Sequence, residues 1–297
     1  MQDPATLYQW QWRMVGNACI ELSRENPDVA TQLLLIEWLR RVADTQDIKT
    51  SKRYNAVIYG YLTDKNGRVR QRAALYCADS RSPEQSIKMI QPLLNDPNQR
   101  VRISAASGLR ILSAYSSAPL ASLLGALEHD DDQVRMFAAA ALGDMARNGH
   151  ASVDTFNRLV ELYENDPAIY VQVRALNAIC QFESQRDRIA PHIRSAIANP
   201  EKEIRHEAIR MLSEIEPFDE ALYLDVTLAG LQEESVDIRA LACWMLRYQV
   251  ITECLRPHRD LLKTLAKNED WDIREAAKFH LSRLSEANEE SADNHRD

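Results

Sequence analysis

The stretch Leu94-Asn-Asp-Pro-Asn-Gln-Arg-Val-Arg-Ile-Ser-Ala-Ala-Ser-Gly-Leu109 holds the pattern that decides the fold. With Arg102 as position zero, Val101, Ala105 and Leu109 fall at −1, +3 and +7. Those positions share one stripe of an α-helix, whereas a strand would need an apolar period of two. Asp96-Pro97 stands just before the helix, with an N-capping residue type and a proline tolerated in a first turn.

Outward from this stretch the pattern recurs six more times. Position zero is Arg70, Arg102, Arg135, Gln172, Arg205, Arg239 and Arg274, so the copies start 32, 33, 37, 33, 34 and 35 residues apart. The residue before is always Val or Ile, and position +3 is always alanine, from Ala73 to Ala277. An alanine recurring at one point predicts a close helix–helix approach there. In the fourth copy Asp166-Pro167 lies six residues before Gln172, as Asp96-Pro97 does before Arg102, which places Gln172 at zero and Arg174 at +2. An earlier helix precedes each copy, as in PEQSIKMIQPLL and VDTFNRLVELY. A near-constant period of helix–turn–helix units is the mark of a stacked repeat protein.

The copy from Leu94 to Leu109 resembles the HEAT-like repeat first associated with phycobilisome lyases. The resemblance covers roughly residues 51–284, read as seven repeats. It implies an all-α fold, a right-handed α-α superhelical solenoid of HEAT-type helix pairs, with about sixteen helices in one continuous array. Residues 1–50 carry two further amphipathic segments, near Ala5–Arg24 and Asp28–Ala43, without the Val-Arg signature. They read as an atypical capping pair with Trp10, Trp12 and Trp38 in its core, or else as a docking site. Residues 285–297, SEANEESADNHRD, have no apolar period and read as a disordered acidic tail.

Composition narrows the function classes. The formal net charge is −8, and five acids against one arginine in the tail account for half of it. A mildly acidic body lacks the broad positive field of a nucleic-acid binder. Five scattered cysteines form no CxxC pair and fit a reducing, cytoplasmic setting. No apolar run reaches the length of a membrane span.

In a HEAT-type solenoid the second helices line the concave face, so the resemblance directs positions +1, +2, +5 and about +8 into a groove. The candidate partner-binding residues there are Arg72, Met136, Phe137, Arg174, His206, Glu207, Arg210, Leu241, Trp244 and Arg247. Exposed aromatic, Met and Arg side chains compose protein-binding hot spots. A small roll of the helices would instead bury the aromatic ones. The position-zero arginines read as structural, bonding turn carboxylates and carbonyls of the adjoining unit.

No catalytic, cofactor-binding or metal set emerges. His206-Glu207 stands where the HEAT-type di-iron hydroxylase of deoxyhypusine carries His-Glu pairs, but the other six copies lack such a pair. Arg210 also replaces the second His of a zinc-binding HExxH. The expectation is a non-enzymatic scaffold holding a protein or peptide. Two rivals remain: a bilin chromophore lyase subunit, suggested only by the repeat subtype, and a DNA-binding protein of the HEAT-like DNA glycosylase type, kept open by the arginines and opposed by the acidic body and tail.

Overall fold

The computed structural model describes residues 9–45, 48–78, 82–214, 220–248 and 252–293. Among them are sixteen α-helices, four short 3-10 segments and no strand. The helices pack in consecutive pairs: α1 (Gln9–Arg24) with α2 (Val29–Thr45), α3 (Ile48–Gly60) with α4 (Gly67–Tyr76), α5 (Pro83–Ile90) with α6 (Gln99–Ser113), α7 (Leu120–Ala126) with α8 (Asp132–Arg147) and α9 (Val153–Asn165) with α10 (Ile169–Ile179). Then follow α11 (Arg186–Ile197) with α12 (Lys202–Glu214), α13 (Glu220–Gly230) with α14 (Val236–Tyr248) and α15 (Arg259–Leu265) with α16 (Trp271–Asp293). This is the all-α solenoid that the repeat predicts. By packing, the chain divides into two compact units, Met1–Gln181 and Phe182–Asp297.

Within the first unit α2, α4, α6, α8 and α10 stack in succession; within the second, α12, α14 and α16 do so. The stripe read from sequence is the surface that makes this possible. All seven alanines at +3 are completely buried, as are the Val or Ile side chains at −1 to within a few per cent in every copy but Ile238. Burying a side chain of Val or Leu size contributes about 1.5–3 kcal/mol, and each repeat supplies several. One turn further along, Gly143 lets α8 approach α10 so closely that a Cβ there would stand 2.9 Å from the Cα of Ala178. Gly149 ends α8 with φ +73, and the amide of His150 reaches back to the Met145 carbonyl oxygen at 2.8 Å. That left-handed residue is the ordinary way to close a helix C-terminus.

Six of the turns between paired helices are built the same way. The residue at −6 accepts the amide of residue −4 on its side chain: Asp64 from Asn66, Asp96 from Asn98, Asp166 from Ala168, Asn199 from Glu201 and Asn268 from Asp270. His129 does so through Nδ1. The N-cap proper is the next residue but one, with Asn66, Asn98 and Asp131 accepting the amides of Arg68, Arg100 and Gln133 at 2.9 Å. Two successive Asx-type turns thus set the corner. The cap expected from sequence, Asp96, thus stands two residues before the N-cap of the structure.

The position-zero arginines lock these corners together. Nη1 of Arg70, Arg102, Arg135, Arg205, Arg239 and Arg274 donates to the carbonyl oxygens at −6 and −5 of its own turn. Four of the six also clamp a carboxylate of the next repeat: Arg70 on Asp96, Arg102 on Asp131, Arg135 on Asp166 and Arg205 on Glu233. The Arg70 guanidinium holds the Asp96 carboxyl below its ordinary range, and Arg205 does the same to Glu233. Gln172 donates to the Asp166 carbonyl oxygen at 2.6 Å, the same turn contact, which fixes it as the position-zero residue of its copy.

The N-terminal pair joins the same scheme. Gln32 on α2 donates to Asp64 of the following turn at 3.1 Å, with Leu35 and Leu39 buried three and seven residues on. Thus α2 is a degenerate second helix, with Leu35 in place of the alanine and Gln32 in place of the arginine. Trp12 is buried and its ring centroid lies 6.2 Å from that of half-buried Trp38. The side chain of Trp10 lies outside the described residues. At the other end the expected tail is helical as far as Asp293, because no glycine or proline interrupts α16; residues 294–297 lie outside the described set.

Candidate functional site

A second helix of this kind has its buried stripe at −1, +3 and +7. At 100° per residue, positions +1 and +5 point farthest from that stripe, while +2 lies on its flank. The structure follows this geometry. At +2, Ser104, Glu207 and Ala276 are buried, so the sequence reading was too generous there. Glu207, counted among the groove residues, is only 8% exposed and accepts a two-pronged contact from Arg210, Nε to Oε2 at 3.1 Å and Nη2 to Oε1 at 2.5 Å.

In the first unit the candidates are half-buried rather than open. Arg72 lies with its guanidinium carbon 5.6 Å from the Tyr76 ring centroid. Met136, Phe137 and Arg174 are all intermediate in exposure. The more open apolar side chains on the second helices of this unit are Tyr170, at −2, Leu34 on α2, and Leu75 and Ile111, at +5 and +9. Arg110 is held at 2.7 Å by Asp144 of the next second helix, and Arg147 donates to Gln181 at 2.9 Å.

In the second unit the candidates separate into two kinds. His206 is half-buried, with Nε2 3.3 Å from Oε2 of Glu233, the carboxylate that Arg205 already clamps. This pair belongs to the turn ladder. Leu241 is half-buried, whereas Trp244 is 46% exposed at +5, and Arg247 is open beside it. The Trp244 ring lies 6.1 Å from that of Tyr248, and the guanidinium of Arg247 lies 5.5 Å from the Tyr248 centroid. On α16, Phe279 at +5 repeats the arrangement with Arg283 5.3 Å away. Tyr248 and Arg283, both at +9, were missed by the sequence reading. The signal was available, since +9 follows +5 by four residues and shares its face.

Among the described residues no group of three or more His, Cys, Asp or Glu side chains is disposed to hold a metal ion. Burial pushes the thiols of Cys77 and Cys243 up to about 12, leaving them protonated and poor nucleophiles. His280 is buried against the Leu246 carbonyl, and its desolvation lowers its pKa. Among the described residues no helix is long and apolar enough to cross a membrane.

Comparison with known proteins agrees with this architecture. No curated protein matches the sequence. Among solved structures, YibA of Escherichia coli has 18% identity and a TM-score of 0.55, the match covering 95% of this chain and 100% of that one. An engineered protein gives 16% identity and a TM-score of 0.49 over 91% of this chain and 78% of its own. The complex of CpcE and CpcF of phycocyanin lyase from Nostoc gives 15% identity and 0.45 over 96% and 97%. A family model described as HEAT repeats matches residues 87–156 and 156–247, more than half of the sequence. The chain belongs to the HEAT repeat family.

Proposed function

We propose that this chain is a non-enzymatic scaffold that holds a protein or peptide on the exposed side of its second helices. In HEAT-type solenoids that side lines the concave surface. The observation that carries the reading is the open aromatic and arginine side chains at +5 to +9, above all Trp244, Tyr248 and Phe279. Large apolar side chains left in water on a regular repeat face are the composition of interaction hot spots. The titratable and nucleophilic groups that chemistry would need are buried, paired or dispersed instead. HEAT repeats commonly mediate protein interactions, and the fold is compatible with that role.

The test is chemical cross-linking of the tagged full chain in its native cells, identification of captured proteins by mass spectrometry, and titration of each purified candidate by calorimetry. A saturable one-to-one complex with a purified protein supports the reading. Failure of every candidate to bind, together with saturable binding of a bilin by absorbance or of duplex DNA with a steep salt slope, overturns it.

A further inference from the structure

We infer that the α14–α16 face of the second unit is a docking site for an acidic segment of another protein that carries a large apolar side chain between carboxylates. This rests on the scaffold reading and gives it a place and a partner chemistry.

The inference comes from how the arginines of this unit are used. Arg205 clamps Glu233, Arg210 clamps Glu207, and Arg194 pairs with Asp225. Arg239 and Arg274 donate to turn carbonyls. Arg247 and Arg283 differ. Among the described residues neither forms an ion pair, and each lies against an aromatic ring, Tyr248 at 5.5 Å and Phe279 at 5.3 Å. A guanidinium stacked on a ring is held in place while its N–H edges stay open to a bidentate acceptor. The nearest acid on the face, Glu275, is held by Lys278 at 2.8 Å and kept ionised by it.

Beside these two cations lies an apolar floor. Trp244 is 46% exposed, Tyr248 66% and Phe279 37%, on two second helices that pack directly against each other. Helices packed this way have axes about 8–10 Å apart. An extended peptide covers that distance in about three residues. A segment with carboxylates three residues apart and an apolar side chain between them would therefore meet both guanidinium groups and lay that side chain on Trp244. The carboxylates supply orientation and speed of encounter, and the apolar anchor supplies desolvation. A basic segment would meet the like charges of Arg247 and Arg283, and Glu275 beside them is already paired with Lys278.

The experiment uses the full chain and three fluorescein-labelled peptides, GEEWEEG, GKKWKKG and GEEAEEG, followed by polarisation at 50 and 300 mM salt. The structure predicts saturable binding of the acidic tryptophan peptide, at least tenfold weaker binding of its alanine twin, and no binding of the basic one. Trp244→Ala, Tyr248→Ala and Arg247→Glu should each weaken it at least tenfold with melting curves that overlay the parent, and high salt should weaken it further. Equal binding of the basic peptide, absence of saturable binding, or full affinity in the well-folded variants overturns the inference. A purified partner that binds the parent and all three variants equally would overturn this site alone and leave the scaffold reading standing.

Discussion

Arg135 of one repeat clamps the carboxylate of Asp166 in the next, Nε to Oδ2 at 2.7 Å and Nη2 to Oδ1 at 3.0 Å. Gln172 takes the carbonyl oxygen of the same aspartate at 2.6 Å, and Oδ1 also accepts the Ala168 amide. One residue therefore ties a repeat to its neighbour and shapes its own turn. Arg135→Ala would leave a buried carboxylate without its cation and free two turn carbonyls. Breaking such a pair should cost about 3–5 kcal/mol. Gln172→Ala removes one neutral hydrogen bond and should cost about 1 kcal/mol. Denaturant melts of the two variants check the order; equal losses would show that the ladder contributes no more than a surface contact.

Ala138 at +3 is fully buried where α8 meets its neighbours, while Ala140 at +5 is half-exposed on the outward side. The same substitution therefore separates the faces. Ala138→Leu should overpack the stack and destabilise by about 1–3 kcal/mol. Ala140→Leu should stay within about 0.5 kcal/mol of the parent. A reversed order in urea melts would mean that the helix faces are misassigned.

The ladder also fixes a pH dependence. Arg70 lowers the pKa of Asp96, and Arg205 lowers that of Glu233. A folded-state pKa below the unfolded value, about 3.9 for aspartate and 4.3 for glutamate, gives stability that is present above the unfolded value. That stability is lost as pH falls through the folded one. Thermal midpoints should hold between pH 6 and 7 and drop below about pH 4. Asp96→Asn should start lower at pH 6 and lose less on acidification. An acid-induced drop as large as the parent's would remove Asp96 from the account.

Much of the fold could be read from two features of the sequence. The stripe Val101–Ala105–Leu109 and its six copies gave the helix phase, and Asp166-Pro167 gave the register of the copy that lacks its arginine. The N-terminal pair was harder, because Gln32 and Leu35 keep the geometry of the repeat while changing both signature residues. The division into two units was not legible, since packing between successive helices depends on close contacts that no single position reports. At the candidate site the charge of Glu207 suggested a groove residue, although its +2 position on the flank of the buried stripe points it toward Arg210. Tyr248 and Arg283 stand at +9, one position beyond those that the repeat pattern directs into the groove, on the face they share with Trp244 and Phe279.

The scaffold reading places a protein partner on the exposed side of the second helices. Hydroxyl-radical footprinting of the full chain, with and without its purified partner, tests it most directly, because the decisive side chains are open and oxidisable. Strong protection of Trp244, Tyr248 and Phe279 is expected in the complex, with Met14, Tyr115 and Trp271 oxidised as in the free chain. Protection of Met14 and its surroundings on α1, with Trp244 and Tyr248 unchanged, would contradict it and move the binding site to the N-terminal helix pair.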